Sequence, residues 1–112
     1  MNDIQAKHRA FTKERNWESF HNPKSLAIAL SVEASELLEI FTWLTDAQSL
    51  TPNPSRLQAI RDEMADVYLY LLRLADVLNI DLLEATNQKF VKVEQKYPLD
   101  RSLALAKSIR ES

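Results

Sequence analysis

Apolar residues recur at helical spacing along almost the whole chain, and the interruptions fall at polar or proline-bearing segments. Ile4, His8, Phe11 and Arg15 follow one another about a turn apart, which predicts a first, rather polar helix from about Asn2 to Arg15. Trp17, Phe20, His21, Asn22 and Pro23 then form a connector. Asn22 followed by Pro23 is a start signal, because Asn caps the free amides of a helix and Pro suits its first position. A second helix is expected to run to about Leu44. The segment Thr45 to Ser55 holds Pro52, Pro54 and several turn formers, and reads as a loop in which the chain reverses. A third helix is expected from about Arg56 to Leu78, with a short break at Asn79, Ile80 and Asp81. Asp81 with Glu84 resembles a capping box without the hydroxyl residue. The fourth helix ends near Lys96, because Pro98 disfavours helix at Tyr97. The remainder, with Leu103, Leu105, Ala106 and Ile109, predicts a last short helix or an arm onto a neighbouring subunit.

The second and third helices, LAIALSVEASELLEIFTWL and VYLYLLRLADVL, carry large apolar side chains on more than one face. A helix apolar nearly all round is buried on several sides, and four helices of 112 residues offer little protein to cover these two. The expectation is an all-α, four-helix bundle-like fold in a single domain over 1–112. It would form a homo-oligomer, dimer or tetramer, whose subunits share the core.

Composition narrows the chemistry. Gly is absent, which excludes a Gly-rich phosphate loop, a dinucleotide-binding fingerprint and a G-x-S-x-G nucleophile elbow. Cys is absent, which removes thiol catalysis, Cys-based zinc sites and disulfides. A net charge of -2 gives no overall positive field to hold a polyanion, so duplex nucleic acid is not an expected partner. The N-terminal stretch lacks an apolar signal-peptide run, and no segment reaches the ~18 apolar residues of a membrane span. A cytoplasmic protein without membrane partners is expected.

Four acids stand out. Glu33 and Glu36 lie three residues apart on the second helix, and Glu63 and Asp66 three apart on the third, so each pair shares a helix face. Glu33 has Ala29, Leu30 and Leu37 as helical neighbours, and Glu63 has Ala59, Ile60 and Val67. An ionised carboxylate facing a core costs several kcal/mol unless paired. Arg61 and Arg73 are among the few cations near these stripes, whereas four converging carboxylates form an oxygen-rich cage suited to Mg²⁺ or Mn²⁺. A ferritin-type di-iron site needs two Glu-x-x-His motifs. The chain offers one, Glu18 to His21, separated by Asn22-Pro23 from the helix that follows.

These residues resemble the MazG-like, all-α nucleoside triphosphate pyrophosphohydrolases, whose signature is Glu-x-x-Glu followed after a spacer by Glu-x-x-Asp. Glu33, Glu36, Glu63 and Asp66 match it. His8, Phe11, Glu14-Arg15-x-Trp17, Phe20-His21-x-Pro23, Leu26, Ala29-Leu30, Phe41-x-Trp43, Tyr70 and Lys89 extend the likeness to the family's dCTP pyrophosphatase-like branch over most of the chain.

The resemblance implies hydrolysis of (deoxy)nucleoside triphosphates, dCTP or related and modified dNTPs, to the monophosphate and pyrophosphate. It implies Mg²⁺ held by the four acids, with Glu36 and Glu63 catalytic and Glu36 orienting or deprotonating the water, a role open to the other acids as well. It implies His8, Trp17 and Trp43 around the base, Tyr70 against the sugar, and Lys89, with Lys92 and Lys96, at the phosphate tail. Val93 stands where relatives often carry a substrate-touching Asn, which implies a shifted or broader base preference. Two other readings remain open: a non-enzymatic helical oligomer acting as an interaction or regulatory module, and a phosphoribosyl-ATP pyrophosphatase-like activity.

Overall fold

A computed structural model describes residues 2–111 of the chain; Met1 and Ser112, the ends of the expected single domain, lie outside them. The elements are α1 (Asn2–Glu14), a 3-10 turn (Glu18–Phe20), α2 (Pro23–Phe41), α3 (Asp46–Leu50), α4 (Pro54–Val77), α5 (Leu82–Lys96) and α6 (Leu99–Glu111). Among the described residues there is no strand, as the helical periodicity requires.

The same Asn-Pro device starts both long helices. The Asn22 side chain accepts from the Ser25 amide at 2.9 Å and that of Asn53 from the Arg56 amide at 2.8 Å, with Pro23 and Pro54 opening the two helices. α4 therefore starts two residues before the expected Arg56. The segment expected to be wholly loop contains α3, closed by a capping box: Thr45 Oγ1 accepts from the Gln48 amide, and Gln48 Oε1 from the Thr45 amide. α2 stops at Phe41, short of the expected Leu44, in turns closed by Thr42 N to Glu39 O and Leu44 N to Phe41 O.

In a chain without Gly, two asparagines take the left-handed position that ends a helix. Asn16 and Asn79 both have φ of 54°. At α1 the Trp17 amide donates to Thr12 O at 3.0 Å and the Asn16 amide to Lys13 O at 3.2 Å. At α4 the Ile80 amide donates to Ala75 O at 2.8 Å and the Asn79 amide to Asp76 O at 3.2 Å. Both pairs form the double closure of a Schellman turn, which Asn tolerates better than other residues with a Cβ.

The described residues divide into two units, one ending at Ile80 and the other beginning at Asp81. In the first, α2 packs along α4 and α1 rests on α4. Ile40 of α2 shares a groove with Ser55, Arg56 and Ala59 near the start of α4, while Glu33 and Glu36 meet Glu63 further along it. The two helices therefore run antiparallel. Leu26 and Leu72, each 1% exposed, form the core with Ile60 and Ala75. Burying a side chain of this size stabilises by about 1.5 to 3 kcal/mol. Thr12 is fully buried beneath α1, its hydroxyl donating to Arg9 O at 2.9 Å.

Large apolar side chains also face outward. Ile28, Val32 and Leu38 on α2, Met64 and Tyr68 on α4, and Trp43 and Leu50 between these helices are exposed. In the second unit α5 carries Leu83, Phe90, Val91 and Val93, and α6 carries Leu99, Leu103, Leu105 and Ile109, all exposed. The final segment is thus a helix, Leu99–Glu111. Among the described residues no helix is long and apolar enough to cross a membrane.

Candidate active site

Antiparallel packing of α2 on α4 brings the acids together. One carboxylate oxygen from each of Glu33, Glu36 and Glu63 lies within 4.8 Å of the others. Glu36 is exposed, and Glu33 and Glu63 are half-buried. Asp66, also half-buried, stands outside this triad, but its charge acts on both Glu33 and Glu63. Oε2 of Glu33 and Oε2 of Glu63 are buried with no hydrogen-bond partner.

Burial, followed by side-chain hydrogen bonding with Glu36 and Glu63 and then by the charges of Glu36 and Asp66, pushes the Glu33 carboxyl up from 4.5 to about 7. Burial likewise raises Glu63, opposed by its hydrogen bond with Glu33 and reinforced by the charges of Glu36 and Asp66. Glu36, Glu39, Ile40 and Glu63 line an open groove of about 460 Å³ beside the triad.

A buried acceptor oxygen without a donor costs free energy that an external cation recovers. The donors are all carboxylate oxygens, with no imidazole or thiolate among them, which fits a hard divalent cation such as Mg²⁺ or Mn²⁺ rather than a softer metal. Arg73, which the sequence brings near the acid stripes, is committed elsewhere, to Asp76 and His21.

A second feature lies further along α4. His8 and Phe11 of α1, Trp17, His21, and Leu69 and Tyr70 of α4 line a cavity of about 180 Å³. The Schellman turn at Asn16 folds Trp17 back so that its ring meets Phe11 edge-on at 5.5 Å, and Arg15 covers the same phenyl ring at 3.7 Å. His8 and His21 meet edge to face at 6.2 Å.

The polar side of this cavity is held by a network. Arg9 grips Asp76 with both nitrogens of its fork, Nε to Oδ2 at 3.0 Å and Nη2 to Oδ1 at 2.7 Å. Arg73, 7% exposed, donates from Nη1 to Asp76 Oδ2 at 2.9 Å and from Nε to His21 Nδ1 at 3.1 Å. The bond from Arg9 holds the Asp76 carboxyl below its ordinary range. Burial and then the charge of Arg73 lower both His8 and His21 from the ordinary imidazole value, which favours their neutral forms.

The structure therefore unites His8, Trp17 and Tyr70 in one cavity and Glu33, Glu36 and Glu63 in one acid cluster. Trp43, expected beside the base, is 91% exposed and does not line that cavity. Lys89 and Lys96 are exposed on α5 of the second unit, with Lys96 Nζ 5.4 Å from the Tyr97 ring centre. Sequence reasoning gave no site role to Leu69, Arg9 or Asp76. Leu69 is marked only by adjacency to Tyr70, and Asp76 only by standing three residues beyond Arg73.

A model of the MazG-like family matches residues 28–111. The chain belongs to the MazG-like family. It is 38% identical over 107 residues to dCTP pyrophosphatase 1 of Rattus norvegicus, a match covering 91% of this chain and 61% of that protein. With dCTP pyrophosphatase 1 of Homo sapiens the identity is 37% over 100 residues, covering 88% and 59%. The chain thus spans about three fifths of the length of these curated relatives. Its fold is similar to the crystal structure of a pyrophosphatase from Archaeoglobus fulgidus, with a TM-score of 0.83 and 39% identity over 88% of this chain and 92% of that one.

Proposed function

We propose that this chain hydrolyses (deoxy)nucleoside triphosphates to the monophosphate and pyrophosphate, with dCTP and related dNTPs as the first substrates to test. The observation that carries the reading is the pair of orphaned, buried oxygens on Glu33 and Glu63, in an acid cluster that shares helix α4 with an aromatic cavity. Glu63 and Tyr70 are about two turns apart on α4, or ~10 Å, a separation suited to a nucleoside at one end and its phosphates at the other. The likeness to proteins named dCTP pyrophosphatase supports the same choice of substrate.

Glu33, Glu36, Glu63 and Asp66 would hold Mg²⁺, with Mn²⁺ as the alternative. When bound, the cation neutralises phosphate charge and stabilises the charge that develops at the phosphorus under attack. Glu36, the exposed member of the triad, orients or deprotonates the attacking water, with Glu63 beside it. Trp17 offers a flat face for the base, His8 a directional hydrogen bond, and Tyr70 a ring against the sugar that disfavours a 2'-hydroxyl. Trp43, Lys89 and Lys96 are retained as substrate contacts on the family resemblance alone.

We place the outward apolar faces of α2, α4, α5 and α6 in a homo-oligomer, dimer or tetramer, and the protein with its nucleotide substrates in the cytoplasm. The decisive experiment is pyrophosphate release from a panel of dNTPs and NTPs with Mg²⁺ and with EDTA, read beside orthophosphate release. Mg²⁺-dependent pyrophosphate with the matching monophosphate is expected. Silence across the panel would transfer the assignment to an interaction module.

A further inference from the structure

The aromatic cavity contains two imidazoles, and one of them is gripped from behind. Arg73 Nε donates to His21 Nδ1 at 3.1 Å, and a guanidinium has no acceptor, so the bond exists only when Nδ1 of His21 carries no proton. In a neutral ring the proton then sits on Nε2. Arg73 is in turn fixed by Asp76, which Arg9 holds in a two-pronged ion pair, so the chain from Arg9 to His21 contains no loose member. Four groups face His21 or its neighbours from two helices: His8 and Arg9 on α1, Arg73 and Asp76 on α4. With Nδ1 taken, Nε2–H is the one polar group of the His21 ring still available to a ligand.

We propose that Arg73 is a positioning residue that sets His21 as a neutral Nε2–H donor, so that the cavity selects a nucleobase presenting a hydrogen-bond acceptor at that ring. The inference rests on the nucleotide reading given above and deepens it by naming the polar group that reads the base. Phe11, Trp17 and Leu69 supply apolar contact, which is indifferent to the pattern of donors and acceptors on a base edge. A fixed donor is not. Were the Nδ1–H form present instead, Nε2 would be an acceptor and the cavity would favour the opposite pattern. Burial of Arg73 makes that alternative unfavourable, because its Nε–H would lose its partner inside the protein.

The test has two arms, both on the full chain. Side-chain ¹⁵N NMR of the free protein at pH 7.5 reads the tautomer directly. The chain has two histidines, so a His8→Gln variant assigns the spectrum. His21 is expected as the Nε2–H form in the wild type, as a mixture of tautomers in Arg73→Met, and as mainly Nε2–H in Arg73→Lys, which restores a donor. Steady-state kinetics with dCTP then separates positioning from general damage: Arg73→Met is expected to raise KM about tenfold, with kcat within about twofold.

A wild-type His21 that is Nδ1–H or imidazolium at pH 7.5 overturns the proposal, as does an Arg73→Met protein with unchanged tautomer and unchanged KM. If Arg73→Met does not fold, the wild-type spectrum and Arg73→Lys decide. If no nucleotide is hydrolysed by the wild type, the functional reading falls, and the spectrum still decides whether Arg73 sets the His21 tautomer.

Discussion

Glu33 of α2 and Glu63 of α4 face each other across the helix pair, each with its Oε2 buried and without a hydrogen-bond partner. Two carboxylates in that position repel when both are ionised, and the protein lessens the repulsion by holding Glu33 as an acid up to about pH 7. An arrangement that is unfavourable without a cation is favourable with one. The acids are therefore expected to set the response of the whole fold to metal and to pH.

The response to metal follows first. Mg²⁺ at a hundred times its Kd is expected to stabilise the wild type by about 2.7 kcal/mol in chemical denaturation. Glu63→Gln removes a charge from the cluster, so its metal-free form is expected to melt above the metal-free wild type at pH 8 and to gain nothing from Mg²⁺. A variant that is still stabilised by Mg²⁺ as strongly as the wild type would place the cation elsewhere.

The pH dependence has a definite sign. Above its ordinary value of 4.5, Glu33 of the unfolded chain releases its proton while the folded chain keeps it until about pH 7. Folding then binds a proton, so the Glu33 contribution is fully present below pH 4.5 and is lost as pH rises through 7. In EDTA, the stability of wild type relative to Glu33→Gln should fall across this window, and Mg²⁺ should reverse the fall above pH 7. Paired urea titrations at pH 5 and pH 8 measure it; a difference that stays flat or grows with pH would contradict the assignment.

The turn that carries Trp17 gives a third expectation. Asn16 has φ of 54°, which costs a residue with an ordinary side chain about 1 to 2 kcal/mol. Asn16→Ala should destabilise by about 1 kcal/mol and loosen Trp17 from Phe11, with a red shift of tryptophan emission, whereas Asn16→Gly should leave stability nearly unchanged. Equal losses in both variants would mean that the Asn side chain, and not its backbone angle, holds the turn.

Core and surface should separate sharply. Leu26→Ala opens a hole between α2 and α4 and is expected to cost about 2 to 5 kcal/mol. Trp43→Ala, at a site 91% exposed, should alter the unfolding free energy of the single chain by less than ~0.5 kcal/mol. Sedimentation velocity of the Trp43 variant tests separately whether that indole joins subunits.

Local chemistry was legible in the sequence wherever it acts over a few residues. Asn22-Pro23 announced α2, and Asp81 caps α5 by accepting from the Glu84 amide, as its spacing suggested. Asn53-Pro54 is the same start signal, obscured by a segment rich in turn formers. α3 was hidden because five residues have no measurable period, although Thr45 and Gln48 stand at capping-box spacing. The acid triad could be anticipated because each pair sits within one turn of one helix. The contacts of Arg73 with His21 and of Arg9 with Asp76 could not, because they join residues 52 and 67 apart in sequence. The apolar period runs on past Phe41 towards Leu44 although the helix itself stops at Phe41, whereas the place of Trp43 at the base rested on the family resemblance and on no local pattern.

The most direct test of the account is pyrophosphate release by the purified chain from dCTP and a dNTP panel, with Mg²⁺ and with EDTA, alongside Glu63→Gln. Mg²⁺-dependent release of pyrophosphate and the monophosphate by the wild type, with at least a hundredfold loss in the folded variant, is the expected result. A folded Glu63→Gln protein as active as the wild type, or activity indifferent to EDTA, would contradict the assignment of the acids.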